Sequence, residues 1–261
     1  MKFYAINGSK REEGNTAQLL NRSLEAIKSV LQDAECEYIN LYDIPFNGCK
    51  SCFACKRVNG RHYGKCVYKD DFKPILNKII EADGIVLGSP IYFGDVTGVM
   101  RCFLERFIFP FLVYDGKGES LAPKRMPLAF IYTMNATEDN IENVGYDLLF
   151  DRTEWPLEMI FTKPYRMYSC DTYQFSDYSK YVSSIFSEEH KAEVRKTQFP
   201  KDLKNAYDIG IKIANDAQKI LWSYFYSSNT TLLISDSLVI SRPHSSPIWH
   251  AKSTTSSNVG S

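Results

Sequence analysis

The chain has 261 residues, and its 31 lysine and arginine residues equal its 31 aspartate and glutamate residues in number. This balance lacks the basic excess of nucleic-acid-binding proteins, so we predict no nucleic-acid partner. No apolar run reaches about 18 residues, which predicts neither a membrane span nor a membrane partner. The N-terminus lacks the features of a secretory signal, which predicts a cytoplasmic protein whose seven cysteines are reduced.

Strand and helix signals alternate along most of the chain. Apolar runs predict five strands, at residues 2–7, 36–42, 84–90, 126–133 and 163–173. Periodic apolar residues predict helices at 15–31, 70–82, 96–109, 141–161 and 188–224, the last with a break near Pro200. Strands that alternate with helices indicate an α/β fold with a parallel sheet.

The last part of the chain has a different composition. Residues 226–261 are rich in serine and threonine and show no sustained helical period. We predict a domain at 1–225, with a cysteine-rich insertion at about 45–68, followed by a disordered or appended tail. The alternative for the tail is an oligomerisation arm.

The first strand runs into a loop of small, hydroxyl and basic residues, INGSKREEGNT, just before a helix. Its glycines permit tight turns, and its side chains could bind a phosphomonoester together with the helix N-terminus. The candidate phosphate-binding residues are Ser9, Lys10, Arg11, Asn15 and Thr16. The Walker lysine and the G-x-G-x-x-G pattern are both absent. The alternative is a polar turn in which Asn15 or Thr16 caps the helix.

The third strand ends in a second informative loop, Ser89-Pro90-Ile91-Tyr92-Phe93-Gly94. Ligands of open parallel sheets bind at the carboxyl ends of the strands. Two aromatic residues between proline and glycine could face a planar ring there. The alternative is aromatic packing at the end of a strand.

These loops resemble the flavodoxin-like superfamily, and more closely its NADPH-dependent FMN reductase and iron–sulfur flavoprotein branch. The resemblance is carried by Gly8-Ser9-x-Arg11-x-x-Gly14-Asn15-Thr16, by Ser89 to Gly94, and by a cysteine segment that ends in Asp70-Asp71-Phe72. It implies a doubly wound five-stranded parallel sheet of order 2-1-3-4-5, with helices on both faces.

The resemblance also implies a cofactor site for non-covalently bound FMN. The phosphate would lie on Ser9, Arg11, Asn15 and Thr16, with extra charge from Lys10, where relatives often have proline. The isoalloxazine ring would lie against Pro90, Ile91, Tyr92, Phe93 and Gly94. A third contact is expected at Thr133, Met134 and Asn135, which match the family by position.

The activity implied by the resemblance is an NAD(P)H-dependent flavin, quinone or small-electrophile reductase. The flavin N5 would carry the hydride, Tyr92 and Phe93 would shape the ring site, and no side chain would be catalytic. A homodimer or homotetramer is expected, with the apolar stretch 103–112 serving as core and as dimer face. Two alternatives remain: an iron–sulfur flavoprotein that carries electrons between a ferredoxin-like donor and an acceptor, and a non-catalytic flavin-binding module.

Four cysteines follow the spacing C-x2-C-x2-C-x10-C, at Cys49, Cys52, Cys55 and Cys66. They are candidate ligands of a 4Fe–4S cluster, although the last gap in the iron–sulfur branch is usually shorter. Zinc is a second alternative, and reduced thiols without metal are the preferred interpretation. We expect the other three cysteines to be small buried apolar residues. The carboxylates of residues 70–71 are expected to cap a helix.

Overall fold

The structure is a computed structural model that describes the backbone of residues 1–233 and the side chains of residues 1–226. The chain divides into two compact units. The first is Met1–Trp222, which contains the sheet, and the second begins at Ser223.

The described residues form one sheet of six strands. The strands are β1 (Lys2–Asn7), β2 (Glu35–Asn40), β3 (Gly84–Tyr92), β4 (Asp95–Val96), β5 (Leu128–Thr133) and β6 (Tyr165–Ser169). Five of them are parallel, in the order β2-β1-β3-β5-β6, and β4 pairs antiparallel with the end of β3. Counted among the parallel strands alone, this order is 2-1-3-4-5, so the predicted topology is confirmed.

Six α-helices accompany the sheet in the described part of the chain. They are α1 (Asn15–Val30), α2 (Phe72–Ile80), α3 (Gly98–Ile108), α4 (Tyr146–Ile160), α5 (Glu188–Thr197) and α6 (Phe199–Leu233). α1 and α6 pack on one face of the sheet, and α2, α3 and α4 pack on the other.

Alternating residues of β1 explain why both faces are covered. Phe3 and Ala5 belong to the core beneath α1 and α6, whereas Tyr4 and Ile6 belong to the core on the opposite face. Successive side chains of a strand point to opposite faces, so a strand covered on both sides is apolar throughout. This accounts for the unbroken apolar runs that predicted β1, β3 and β5.

Three predicted boundaries differ from the structure for local reasons. β2 ends at Asn40, whose side-chain oxygen accepts a hydrogen bond from the Tyr42 N–H at 3.0 Å and starts a short 3-10 turn. α4 begins at Tyr146 instead of residue 141, because Gly145 adopts a left-handed φ of 72°. The break near Pro200 is confirmed, since α5 ends at Thr197 and a new helix begins two residues later.

The last helix ends later than residue 224, where the sequence predicted its end. Helix α6 continues through Leu233, although the serine- and threonine-rich residues from 227 onward were expected to be non-helical. The remainder of the tail lies outside the described residues. The division into a domain and a tail stays a prediction.

Candidate functional site

An open cleft lies at the carboxyl edge of the sheet, where β1, β3 and β5 end side by side. Residues of all three predicted loops line it, together with a fourth segment that follows β6. The lining residues are Ser9, Arg11, Gly14, Asn15, Thr16, Pro90, Ile91, Tyr92, Thr133, Met134, Asn135, Thr172 and Gln174. The topology therefore brings together the residues that the sequence placed in separate loops.

The loop after β1 is held close to β3 and α3. The Gly8 N–H donates to the Gly88 carbonyl at 2.8 Å, and the Thr97 hydroxyl donates to the Gly8 carbonyl at 2.8 Å. A Cβ at residue 8 would lie only 3.0 Å from Thr97 Oγ1 and from Met100 Cβ. Glycine therefore suits this close approach, because a larger residue at position 8 would require Thr97 or Met100 to shift by a few tenths of an ångström.

Ser9 is buried, and polar neighbours fix its position in the same loop. Its N–H donates to Asn7 Oδ1 at 3.0 Å, and its hydroxyl oxygen accepts from the Arg11 N–H at 3.3 Å. The Asn7 amide also donates to the Tyr38 hydroxyl at 2.7 Å. The loop is thus preorganised by its own hydrogen bonds.

Helix α1 begins at this loop with an uncapped N-terminus. Its N-cap residue is Gly14, which contributes no side-chain hydrogen bond, and its first turn contains no acidic residue. The alternative in which Asn15 or Thr16 caps the helix was therefore wrong. The first N–H groups of a helix lack intrahelical partners and lie at the positive end of its dipole, so this end of the cleft favours an anion.

The segment after β6 closes the cleft beside this helix terminus. The Arg11 guanidinium donates to the Gln174 carbonyl, and Asn15 Nδ2 donates to the Tyr173 carbonyl at 3.2 Å. Thr172 and Gln174 were not predicted as site residues, because the predicted fifth strand extended through residue 173, whereas β6 ends at Ser169. The carboxyl-edge rule, applied to the fifth strand as well, would have identified this segment.

The loop after β3 forms a small hairpin. Ile91 pairs with Val96 and Tyr92 pairs with Asp95. The two residues between the paired strands have positive φ values, 52° at residue 93 and 75° at residue 94, as a type I′ turn requires. The hairpin leaves Tyr92 on the cleft but turns the Phe93 side chain fully into solvent. Neither residue of the turn lines the cleft in this structure, although both are sequence-predicted ring contacts.

The loop after β5 supplies the third wall. Thr133 and Met134 are buried, and the Asn135 carboxamide oxygen is also buried. That oxygen has no hydrogen-bond partner among the described residues. A buried acceptor without a partner is costly, so this atom suits a ligand that carries an N–H or O–H donor.

Lys10 occupies a different position from the other loop residues. Its ammonium group lies 3.3 Å from an Asp43 carboxylate oxygen on the surface, and it does not line the cleft. The charge that Lys10 was expected to add beside a phosphate is therefore offset by Asp43.

The four clustered cysteines line a second cavity, apart from the cleft. Cys49, Cys52, Cys55 and Cys66 all face it, with Arg106 of α3 at its wall. Cys49 and Cys52 are exposed, and Cys55 is buried. Burial raises the pKa of Cys55, and the neighbouring positive charge of Lys56 opposes part of this rise.

The loop that carries these cysteines is fastened to α3 by a buried ion pair. Arg106 is almost fully buried, and its guanidinium donates to both carboxylate oxygens of Asp70. Asp70 Oδ1 also accepts from the Lys73 N–H at 3.1 Å, at the start of α2. Asp70 thus caps the helix as expected, whereas Asp71 makes no side-chain cap bond.

The described residues contain no group of three or more His, Cys, Asp or Glu side chains placed to hold a metal ion. Zinc, the second interpretation of the cysteines, therefore finds no preformed site there. A 4Fe–4S cluster binds each cysteine to a different iron, so its ligands stand farther apart than those of one ion.

Among the described helices, none combines the length and the apolar character that crossing a membrane would demand.

A family model described as NADPH-dependent FMN reductase matches residues 1–136. An iron–sulfur flavoprotein of Methanocaldococcus jannaschii is 43% identical over 106 residues, which cover 41% of this chain and 51% of that protein. One from Archaeoglobus fulgidus is 42% identical over 106 residues, which cover 41% of this chain and 48% of that protein. The chain thus spans about half the length of the curated relatives it matches.

Solved structures agree with the fold. An NAD(P)H:quinone oxidoreductase from Methanothermobacter marburgensis has a TM-score of 0.58 at 13% identity, and the match covers 81% of this chain and 98% of that chain. The family model covers more than half of the 261 residues, including the loops after β1, β3 and β5. The chain therefore belongs to the NADPH-dependent FMN reductase family.

Proposed function

We propose that this protein is an FMN-dependent oxidoreductase whose cofactor binds in the cleft at the carboxyl edge of the sheet. The observation that supports this most strongly is the convergence of three separate loops around one uncapped helix N-terminus. A phosphate-binding end and a ring-binding wall at neighbouring strand ends suit a flavin mononucleotide.

The phosphate end of the proposed site is built from α1 and the loop before it. Ser9, Asn15 and Thr16 provide hydroxyl and amide groups there, and Arg11 provides a guanidinium with further N–H groups beyond the one bonded to Gln174. Charge-assisted hydrogen bonds from such groups to a phosphate are stronger than neutral ones.

The ring end of the proposed site combines an apolar surface with one hydrogen-bond acceptor that has no described partner, the carboxamide oxygen of Asn135. Pro90, Ile91 and Tyr92 form a wall whose backbone groups could bond to a heterocycle. The buried carboxamide oxygen of Asn135 could accept a hydrogen bond from a ring N–H. We still propose Phe93 and Gly94 as ring contacts. They form the turn of the same hairpin, directly after Tyr92.

Bound FMN would supply the hydride and electron chemistry. The residues of the chain then need only bind and orient the cofactor and exclude water from one of its faces. The cleft lining fits this division, since among its described residues only Arg11 and Tyr92 have ionisable side chains.

The electron donor and acceptor are proposed from the relatives. The matching family model is described as NADPH-dependent, and a relative from Bacillus subtilis bears a name that specifies NAD(P)H and FMN. We propose NAD(P)H as donor and a quinone, free flavin, small electrophile or redox protein as acceptor.

We also propose a homodimer or homotetramer. The stretch 103–112 is divided between two environments, with Phe103 and Phe107 in the core and Ile108 and Leu112 on an apolar groove. Trp155 of α4 lines the same groove and is more than half exposed. Sedimentation equilibrium at micromolar concentration should give two or four times the chain mass, and a monomer would contradict this proposal.

Reconstitution tests the main proposal. Purified protein should take up FMN stoichiometrically, and it should then oxidise NADPH or NADH with a quinone as acceptor. Asn15→Asp, which places a carboxylate beside the phosphate, should weaken FMN retention, whereas Lys196→Gln on the exposed face of α5 should not. Protein that takes up no FMN would contradict the proposal, and FMN uptake without turnover would favour the non-catalytic module.

An iron–sulfur electron carrier is the second candidate function, and the shared cavity of the four cysteines favours it. Cys49, Cys52, Cys55 and Cys66 would hold the cluster, which would relay single electrons. Anaerobically purified protein should then contain about four iron and four acid-labile sulfide per chain, as a 4Fe–4S cluster requires. Protein free of iron after anaerobic purification and reconstitution would exclude this candidate.

A further inference from the structure

Arg195 on α5 reaches the first turns of α1 from outside the region that the family model matches. Its Nη1 donates to Asn15 Oδ1 at 2.8 Å, and its Nη2 donates to Gln18 Oε1 at 2.9 Å. The guanidinium also lies 3.8 Å above the centre of the Phe199 ring. Its planar fork is therefore fixed by two amide oxygens and one aromatic face.

The phosphate loop itself has little positive charge to offer. Lys10 and Arg11 are followed directly by Glu12 and Glu13, and Lys10 is already paired with Asp43. A phosphomonoester carries up to two negative charges near neutral pH. Arg11 and the dipole of α1 alone would leave part of that charge uncompensated.

Arg195 carries a positive charge that its described partners do not neutralise. Those partners are neutral amide oxygens and an aromatic ring. Burial lowers the pKa of Arg195. Glu13 lines the same cavity as Arg195, but no carboxylate is among the described hydrogen-bond partners of Arg195. A nearby anion would therefore stabilise the charged form of this partly desolvated guanidinium.

The contact with Asn15 also fixes which atom of that carboxamide faces the cleft. Because Arg195 occupies Oδ1, the nitrogen points the other way, where it donates to the Tyr173 carbonyl at 3.2 Å. A carboxamide nitrogen has two N–H groups, so one remains for a ligand. Without Arg195, Asn15 could rotate and present its oxygen, which would repel a phosphate.

We propose that Arg195 is a positioning residue of the phosphate site, which orients the Asn15 carboxamide and supplies the second positive charge for a flavin phosphate. This inference rests on the proposed function. It predicts that Arg195 affects the affinity for the phosphate and not the affinity for the isoalloxazine ring.

Fluorescence titrations with FMN and with riboflavin, which lacks the phosphate, test the inference. Arg195→Gln should weaken FMN binding about 10-fold while riboflavin binding changes less than about twofold. Arg195→Lys should give an intermediate loss, because lysine keeps the charge but not the planar fork. The matched control is Lys196→Gln, which removes the adjacent, exposed charge and should leave both affinities unchanged.

A double-mutant cycle adds a readout for the coupling to Asn15. If Arg195 acts through that carboxamide, Arg195→Gln should cost clearly less FMN affinity in an Asn15→Ala background than in the wild type. FMN affinity should also depend less steeply on ionic strength in Arg195→Gln than in the wild type.

Three outcomes would overturn the inference. FMN affinity that is unchanged in Arg195→Gln would remove the proposed role, and equal losses for FMN and riboflavin would show a structural role only. A folded wild-type protein that binds neither flavin would refute the proposed function itself, and the inference with it.

Discussion

The hydroxyl oxygens of Thr16 and Thr133 lie 2.8 Å apart, and both side chains are buried. One belongs to the first turn of α1 and the other to the last position of β5. This hydrogen bond joins the loops that form the two ends of the proposed cofactor site.

Loss of one of these hydroxyls should destabilise the protein. Thr16→Val or Thr133→Val keeps the side-chain shape but leaves the other hydroxyl buried without a partner, which should cost about 1–2 kcal/mol in urea unfolding. The double variant should be more stable than the sum of the single losses predicts, because no unpaired hydroxyl remains. Strictly additive losses would show that the two hydroxyls do not interact.

A side chain at Gly88 should push α1 away from the sheet. A Cβ there would lie 2.8 Å from Leu20 Cδ1 and from Thr16 Cγ2, and both belong to α1. We expect Gly88→Ala to lower the free energy of unfolding by about 1–3 kcal/mol.

Gly98 provides the control for this substitution. A Cβ there would meet nothing within 4 Å, and the residue begins α3, so Gly98→Ala should be neutral or slightly stabilising. Equal losses for the two alanine variants would indicate a general effect of glycine replacement.

Tyr165 should make the stability of the protein sensitive to high pH. Its hydroxyl donates to Asp216 Oδ2 at 2.6 Å, and this carboxylate, together with burial, raises the pKa of Tyr165 from 10.0 to about 12. The protonated tyrosine is therefore favoured by folding. Its contribution should be complete below pH 10 and should disappear as the pH rises to about 12.

A comparison of wild type with Tyr165→Phe isolates this contribution. At pH 8 the wild type should be more stable in urea unfolding, by about 1 kcal/mol for a partly exposed hydrogen bond to a charged group. The difference should shrink as the pH approaches 12. A difference that stays constant across this range would contradict the assignment.

The seven cysteines should differ strongly in reactivity. Cys49 and Cys52 are exposed, whereas burial raises the pKa of Cys170 to about 12. Because the thiolate is the reactive form, iodoacetamide at pH 8 should modify the two exposed cysteines at least about 10-fold faster than Cys170. Peptide mass spectrometry measures each site, and rapid labelling of the partly buried Cys170 would contradict its raised pKa.

The sequence contained most of the information about the sheet. Continuous apolar runs marked β1, β3 and β5, because a strand that is covered on both faces needs apolar residues at every position. The boundaries of the helices and strands were harder to predict from the sequence, because they depend on single local features such as the left-handed backbone conformation of Gly145 before α4. The hairpin of Phe93 and Gly94 was also missed, because its first turn residue is a phenylalanine with positive φ, which sequence rules disfavour.

The candidate site was predictable where it follows a strand and not where it depends on distant packing. Ser9, Tyr92 and Thr133 follow or end strands of the sheet, so the carboxyl-edge rule located them. Arg195 lies on a helix 180 residues away from Asn15 in the chain, and no local pattern connects the two. Contacts of this kind require the three-dimensional arrangement of α5 against α1.

A crystal structure of the protein with FMN would test the central claim most directly. We predict that the phosphate lies within hydrogen-bonding distance of Ser9, Asn15 and the first N–H groups of α1, and that the ring lies against Pro90 and Tyr92. A flavin found away from the carboxyl edge of the sheet, for example in the apolar groove between α3 and α4, would contradict this account.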